Sequence, residues 1–407
     1  MTTESLPKAA DAEHLTEALR RAGALGEGRV CNVVAESARA TILSRIIRLR
    51  LTYDGAVAAV PNSVILKTGL PDLAEGLLNA GRQEVAFYTQ IAPVMSAPPV
   101  PRCFEALWDE DTKAWHLLLE DLTDSHVIAT TWPLPPTFEQ CESILRARAR
   151  FHAAWWDDLR LGASVGNWLD TGGMDHYLQK LAQQFTRFAD RVGDLLPRKR
   201  RDLYELLLGA APRLFERYHS HRNVTIVQGD AHVWNCFLPR GGRGDDVRLF
   251  DWDSWRIDTA SDDLAYMMAM HWYPDRRHQF ERPLLDRYHA ALVAHGVCGY
   301  DRATLDDDYR LSALWQITWP VWQAANNIPP VIWWNNLERI LLAVEDLGCR
   351  DLLVRGTKRA NVGFLSNTQC SAVGPTLPTW AARKLERIPI MFEHSRHDER
   401  NSCILWG

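Results

Sequence analysis

The sequence predicts an α+β fold in two lobes, an N-terminal antiparallel sheet lobe and a larger helical C-terminal lobe. Three observations predict it. Segments rich in β-branched residues cluster before residue 121, helical apolar spacing dominates after residue 137, and a short β-rich insert interrupts the helices between 224 and 250. Period-two and period-3.6 patterns distinguish the two kinds of segment.

Taken in order, residues 1–25 read as helical and surface-exposed. Arg29–Val34 is a candidate strand, and Thr41–Tyr53 a long one with partial alternation. Asp54-Gly55 is a turn signal, Asn62–Lys67 a short apolar strand ending in a lysine, and residues 71–95 a helical stretch containing Glu84. Cys103–Trp108 and Ala114–Glu120 form a hairpin around Asp109–Thr112, completing a five-stranded sheet lobe. Beyond it, Thr137 and Gln140 have the spacing of a capping box, in which side chain and backbone satisfy each other's donors at a helix start. Helices are expected over 173–221 and 260–348, separated by strands at Val224–Gln228, Cys236–Leu238 and Val247–Phe250, the last two joined by a turn at Gly241–Gly244. The expected division is 1–121 for the sheet lobe, 122–355 for the helical lobe, and 356–407 as a tail to which no fold is assigned.

Composition narrows the function. The 407 residues carry 46 Lys plus Arg against 51 Asp plus Glu, a net charge of −5, which gives no electrostatic footprint for nucleic acid. The eight cysteines include no C-x-x-C pair, so neither a zinc ribbon nor a redox motif is present. The uncharged stretch 311–337 holds two glutamines, four asparagines and three prolines, and reads as helix, turn and helix rather than a membrane span. The start of the chain lacks a basic segment followed by an apolar one, and a cytoplasmic protein with reduced cysteines is expected.

The chemistry concentrates in Gln228-Gly-Asp230-Ala-His-Val-Trp-Asn235, followed by Leu249-Phe-Asp251-Trp-Asp253. Asp230 and Asn235 lie five apart on a loop between apolar strands, and a tight hairpin would bring Asn235 near Asp251. An amide oxygen and a carboxylate are hard ligands suited to Mg²⁺. A third carboxylate on the same loop can orient and deprotonate an attacking hydroxyl. Base, Asn and Asp together make the phosphoryl-transfer pattern.

These residues resemble the aminoglycoside phosphotransferase and choline kinase-like superfamily, within the protein-kinase-like fold, whose members carry H-G-D-x-x-x-x-N and a downstream I-D-W/F-D/E. The resemblance implies an ATP-dependent kinase for a small-molecule hydroxyl, with Asp230 as catalytic base and Asn235 and Asp251 as Mg²⁺ ligands. Asp253 takes a weaker role, and Asp262-Asp-Leu-Ala265 matches a segment that stabilises the loop. The same resemblance pairs Lys67 with Glu84, the lysine on the nucleotide phosphates. It makes Leu117–Leu122, including Glu120 and Leu122, a hinge whose backbone meets adenine. One departure stands out: the family histidine is Gln228. A carboxamide also donates and accepts hydrogen bonds, but the change motivates an alternative, a nucleotide-binding pseudokinase with little or no transfer. A third reading takes Asp251-Trp-Asp253 as the D-x-D of an aspartyl phosphatase, although the motif sits late in the chain and is followed by Ser254. No G-x-G-x-x-G or G-K-S/T is present. Most of the 17 tryptophans are expected in the core, a few lining an acceptor pocket. His152 reads as a core histidine and His232 as a minor site candidate.

Overall fold

The computed structural model describes residues 6–41, 43–55, 59–70, 75–241 and 246–354. Most of the turn expected at 241–244, and the tail expected from 356, lie outside the described residues. Five strands build one antiparallel sheet: β1 (Arg29–Ala40), β2 (Ser44–Asp54), β3 (Ser63–Gly69), β4 (Cys103–Trp108) and β5 (Trp115–Glu120), in the order β1-β2-β3-β5-β4. Alternation along β3 sends Val64 and Leu66 to one face, where they are fully buried, and Ile65 and Lys67 to the other. The first strand runs six residues further than its composition suggests, to Ala40. Its polar second half is held by the register with β2, in which Ala40 faces Arg45.

The N-terminal helix α1 (Ala12–Arg21) is not the surface element expected. Leu15, Ala18 and Leu19 are fully buried against Val30, Ile47, Leu49, Leu66 and Leu118 on the back of the sheet. Its four buried positions fall within one five-residue window, too short for periodicity to tell a surface stripe from a packed one. On the other face, α2 (Glu75–Ala86) continues into a π-helical turn at Phe87–Ile91.

The helical lobe begins after β6 (His126–Ile128) with α3 (Phe138–Ala154), whose N-terminus is the expected Thr137–Gln140 capping box. Helices α4 (Thr171–Val192) and α5 (Arg198–His219) follow. Then come β7 (Thr225–Val227), β8 (Cys236–Pro239), β9 (Arg248–Leu249) and β10 (Arg256–Asp258). The last of these pairs antiparallel with β7 and has no alternation to betray it in three half-buried residues. Helices α6 (Ser261–Met267), α7 (Pro274–Ala294), α8 (Arg302–Gln316), α9 (Thr318–Ala325), α10 (Pro330–Asp346) and α11 (Arg350–Val354) complete the lobe. The uncharged stretch at 311–337 thus belongs to three helices rather than two. Trp155, Trp252 and Trp272 are core residues, Trp252 stacking on Phe87 with centroids 4.0 Å apart. Among the described residues no helix is long and apolar enough to cross a membrane.

Candidate active site

A cleft of about 760 Å³ separates the sheet from the helical lobe, and Lys67, Glu84, Glu120, Leu122, Asp230, Asn235 and Asp251 all line it. Lys67 lies on the cleft face of β3. Its ammonium donates to Glu84 on α2, with Nζ 2.7 Å from Oε2, and to Asp251 Oδ1 at 2.8 Å, 184 residues away. Burial favours the neutral amine, but the two carboxylates outweigh it and hold Lys67 protonated, above the ordinary lysine range. Glu84 is almost fully buried. Its desolvation raises the carboxyl to about 7 against the pull of Lys67. The Asp251 carboxyl moves the other way. Burial would raise it, yet Lys67 keeps it below the usual range, and 37% of its side chain still faces the cleft.

The loop bearing Asp230 is anchored from beneath. Fully buried β7 delivers the chain to Gln228 and then to Gly229, at φ +83°. A Cβ at Gly229 would lie 2.5 Å from the Ser254 carbonyl oxygen and 2.6 Å from Arg256 Nη1, so glycine is required for space as well as for φ. The Asp263 carboxylate on α6 accepts the backbone N–H groups of Gln228 (3.1 Å) and Gly229 (3.0 Å). It also accepts from Arg148 Nη1 at 2.9 Å and lies 3.2 Å from His152 Nε2. Burial alone would raise Asp263; Arg148, His152 and the loop amides instead hold it far below the carboxylate range. Arg148 closes the clamp by donating to the Ala231 carbonyl at 2.9 Å. His152 is the satisfied core residue expected, its Nδ1 2.7 Å from the Tyr288 hydroxyl. The resemblance of 262–265 to a loop-stabilising segment therefore has a concrete form in Asp263.

Asn235 and Asp251 meet because β8 and β9 pair antiparallel, Cys236 opposite Leu249. The Asn235 amide nitrogen donates to the Asp230 carbonyl at 3.0 Å and approaches Asp230 Oδ2 at 3.3 Å, which leaves Oδ1 as its acceptor end. Asp251 has a left-handed backbone, φ +64°, uncommon for a non-glycine residue. Gln228 braces it, Nε2 donating to the Phe250 carbonyl at 2.5 Å and lying 3.4 Å from that of Asp251. Gln228 is therefore built into the turn that presents Asp251.

Glu120 and Leu122 sit where the chain passes between lobes. The Glu120 carboxylate accepts from the Arg102 N–H at 3.1 Å, and the Leu122 carbonyl accepts from the His126 N–H at 2.8 Å. Asp121 between them, in the sequence only the boundary of the sheet lobe, has a structural task. It takes Arg48 Nε at 2.6 Å and the Ser63 hydroxyl at 2.5 Å, tying this crossing to β2 and β3. Burial opposes its ionisation, but Ser63, Thr123 and Arg48 lower its carboxyl to about 2. Thr123, two residues on, is its local partner, but Ser63 and Arg48, which make the tie to the sheet, lie 58 and 73 residues away. At the other end of the cleft, Tyr266, Trp319 and Trp322 form an aromatic wall, with edge-to-face ring pairs at 5.8 and 5.4 Å. His232 Nε2 lies 3.5 Å from Asp230 Oδ2, but the residue is buried and does not line the cleft. Every pairing between strands among the described residues is antiparallel, which removes the parallel α/β setting that the D-x-D phosphatase reading needs.

Comparison with known proteins agrees with this architecture. The family model described as ecdysteroid kinase-like matches residues 40–297. A crystal structure of a candidate aminoglycoside phosphotransferase from Ralstonia eutropha JMP134 superposes with a TM-score of 0.52 at 14% identity, covering 86% of this chain and 99% of that one. Choline kinase from Cryptosporidium parvum Iowa II gives a TM-score of 0.52 at 11% identity, over 84% of this chain and 98% of the other. At those identities the likeness is one of fold, the two-lobed kinase-like arrangement. No curated protein matches the sequence significantly.

Proposed function

The chain belongs to the ecdysteroid kinase-like family, and from that premise we propose that it transfers the γ-phosphoryl group of ATP to a hydroxyl of a small molecule in a Mg²⁺-dependent reaction. The observation that carries this reading is the convergence of Lys67, Asp230, Asn235 and Asp251 on one cleft. In this reading residues 1–121 hold the nucleotide, with Glu120 and Leu122 in the segment facing its base. Residues 122–355 carry the catalytic loop and the acceptor site.

The residues present fit a magnesium ion. Asn235 turns its N–H end to Asp230 and keeps an oxygen free, and Asp251 commits one oxygen to Lys67 while remaining part-exposed. Two hard oxygen ligands, the rest of the shell coming from phosphate and water, suit Mg²⁺. When bound there, the ion would neutralise the charge that develops on the transferred phosphoryl group. Lys67 adds a second positive charge, and Glu84 holds it in position without leaving β3 and α2. Asp230 orients the acceptor hydroxyl and takes its proton as the oxygen attacks. The clamp of Asp263 and Arg148 fixes the loop, so Asp230 needs little reorganisation to act.

The aromatic wall favours an acceptor with an apolar body, a class that includes the steroid alcohols in the family's name. The test is a screen for Mg²⁺-dependent transfer from ATP and GTP to steroid alcohols, choline, amino alcohols and aminoglycosides, run beside Asp230→Asn and Asp251→Asn. Transfer confined to the wild type supports the proposal. Nucleotide binding without transfer across the panel favours the pseudokinase alternative, and no nucleotide binding overturns both.

A further inference from the structure

We propose that His14, Glu105 and His116 form a binding site for a divalent transition-metal ion of the zinc class, on the back of the sheet and independent of the cleft. The three residues come from three elements, α1, β4 and β5, and among the described residues their ligand atoms lie within 4.8 Å of one another. The register places them on one face. His116 stands opposite Leu107, two residues along β4 from Glu105. Its neighbour Leu117 stands opposite Lys67, so the cleft lysine points the other way.

The geometry is that of a converging donor set. His14 Nε2 lies 2.5 Å and His116 Nε2 2.7 Å from the same oxygen, Glu105 Oε2. The rings meet edge-on, centroids 5.4 Å apart at 71°. The other carboxylate oxygen, Oε1, is held by Arg21, seven residues from His14 and on the same face of α1. Arg21 therefore orients the carboxylate while Oε2 is left to the two imidazoles. For both rings to bond that one oxygen, both Nε2 atoms must carry a proton. A dication placed between them binds the two Nε2 lone pairs and one carboxylate oxygen, each neutral ring then carrying its single N–H proton on Nδ1. Two His and one Glu with a fourth position open to water is a common zinc arrangement. Imidazole donors discriminate against Mg²⁺ and Ca²⁺, which require oxygen. Bond lengths of about 2.0–2.2 Å need the nitrogens to withdraw from Oε2 by less than about 1 Å. The His14 side chain, 26% exposed at the helix surface, supplies both that adjustment and a path for the ion. The consequence is a staple between α1 and the edge of the sheet.

The experiment uses the full chain, stripped with a chelator, loaded with Zn²⁺ and passed through a desalting column before metal analysis. One equivalent of zinc per chain and a higher Tm on loading are expected. His14→Gln, Glu105→Gln and His116→Gln should each lower zinc affinity tenfold or more and abolish the Tm response, while Asp251→Asn keeps both. No retained zinc in the wild type overturns the proposal, as does equal retention by the three variants. If the variants fail to fold, the wild type decides alone. Co²⁺ should give an intense visible absorption typical of four-coordination, and its absence overturns the assignment.

Discussion

The side-chain amide of Gln228 donates to the carbonyl of Phe250 at 2.5 Å, across the base of the turn that presents Asp251. It also lies 3.4 Å from the carbonyl of Asp251, whose φ is +64°. The glutamine thus supplies a hydrogen-bond donor to a turn that would otherwise hold two carbonyls and an unusual backbone without a brace. Gln228→Ala leaves those part-buried carbonyls short of a donor, at about 1 kcal/mol. Turnover should fall at least tenfold with Tm lowered, whereas Gln228→His should stay within a few-fold of wild type. Wild-type kcat in Gln228→Ala would show that the brace is idle.

Asp230→Asn removes the proton acceptor but keeps shape and the approach to Asn235. The expected loss in kcat is on the order of 10²–10⁴, with nucleotide affinity unchanged within a few-fold. Steady-state kinetics and a nucleotide titration on the same sample check both halves.

Arg148→Met leaves the Asp263 carboxylate buried without its main partner and frees the Ala231 carbonyl. Breaking such a pair costs about 3–5 kcal/mol. Thermal unfolding should show a Tm lower by about 4–6 °C, with lost turnover even where the chain stays folded.

Asp121 makes stability depend on pH in a defined window. Its folded carboxyl sits at about 2, below the ordinary 3.8, and its side chain is 2% exposed. The unfolded chain binds the proton more readily. The contribution is therefore present above pH ~4 and is lost as pH falls toward 2. It amounts to about 2 kcal/mol. Urea melts of wild type and Asp121→Asn should differ at pH 6 and converge near pH 2; a constant difference would refute the assignment.

Gly229→Ala should be tolerated poorly, because its Cβ meets the Ser254 carbonyl oxygen at 2.5 Å and the backbone sits at φ +83°. Loss of soluble protein, or of turnover with fold retained, is expected. An active, stable variant would show that Ser254 and Arg256 can move aside.

The sheet lobe and the loop chemistry were legible because their signals are local. Strands β2 and β3 announce themselves by β-branched composition, β4 and β5 by two apolar runs around the Asp109–Thr112 turn, and α3 by its capping box. Gln228-Gly-Asp230 and Asn235 lie within eight residues, so spacing alone suggests a shared task. The chain order also places the sheet before the helices, which sets the two-lobed arrangement. What the tertiary structure decided is everything that depends on distant partners. Lys67 meets Asp251 across 184 residues, Asp263 reaches back 34 and 35 residues to the loop amides, and Asp121 finds Arg48 across 73. The same holds for α1, whose apolar stripe could face water or a sheet until the sheet is there to bury it. Of the 17 tryptophans, Trp319 and Trp322 face the cleft while Trp155 and Trp252 fill the core, a division that composition cannot make. Periodicity reports which face of one element is apolar; which element covers it, and which charge answers a buried charge, follows only once the chain has closed on itself.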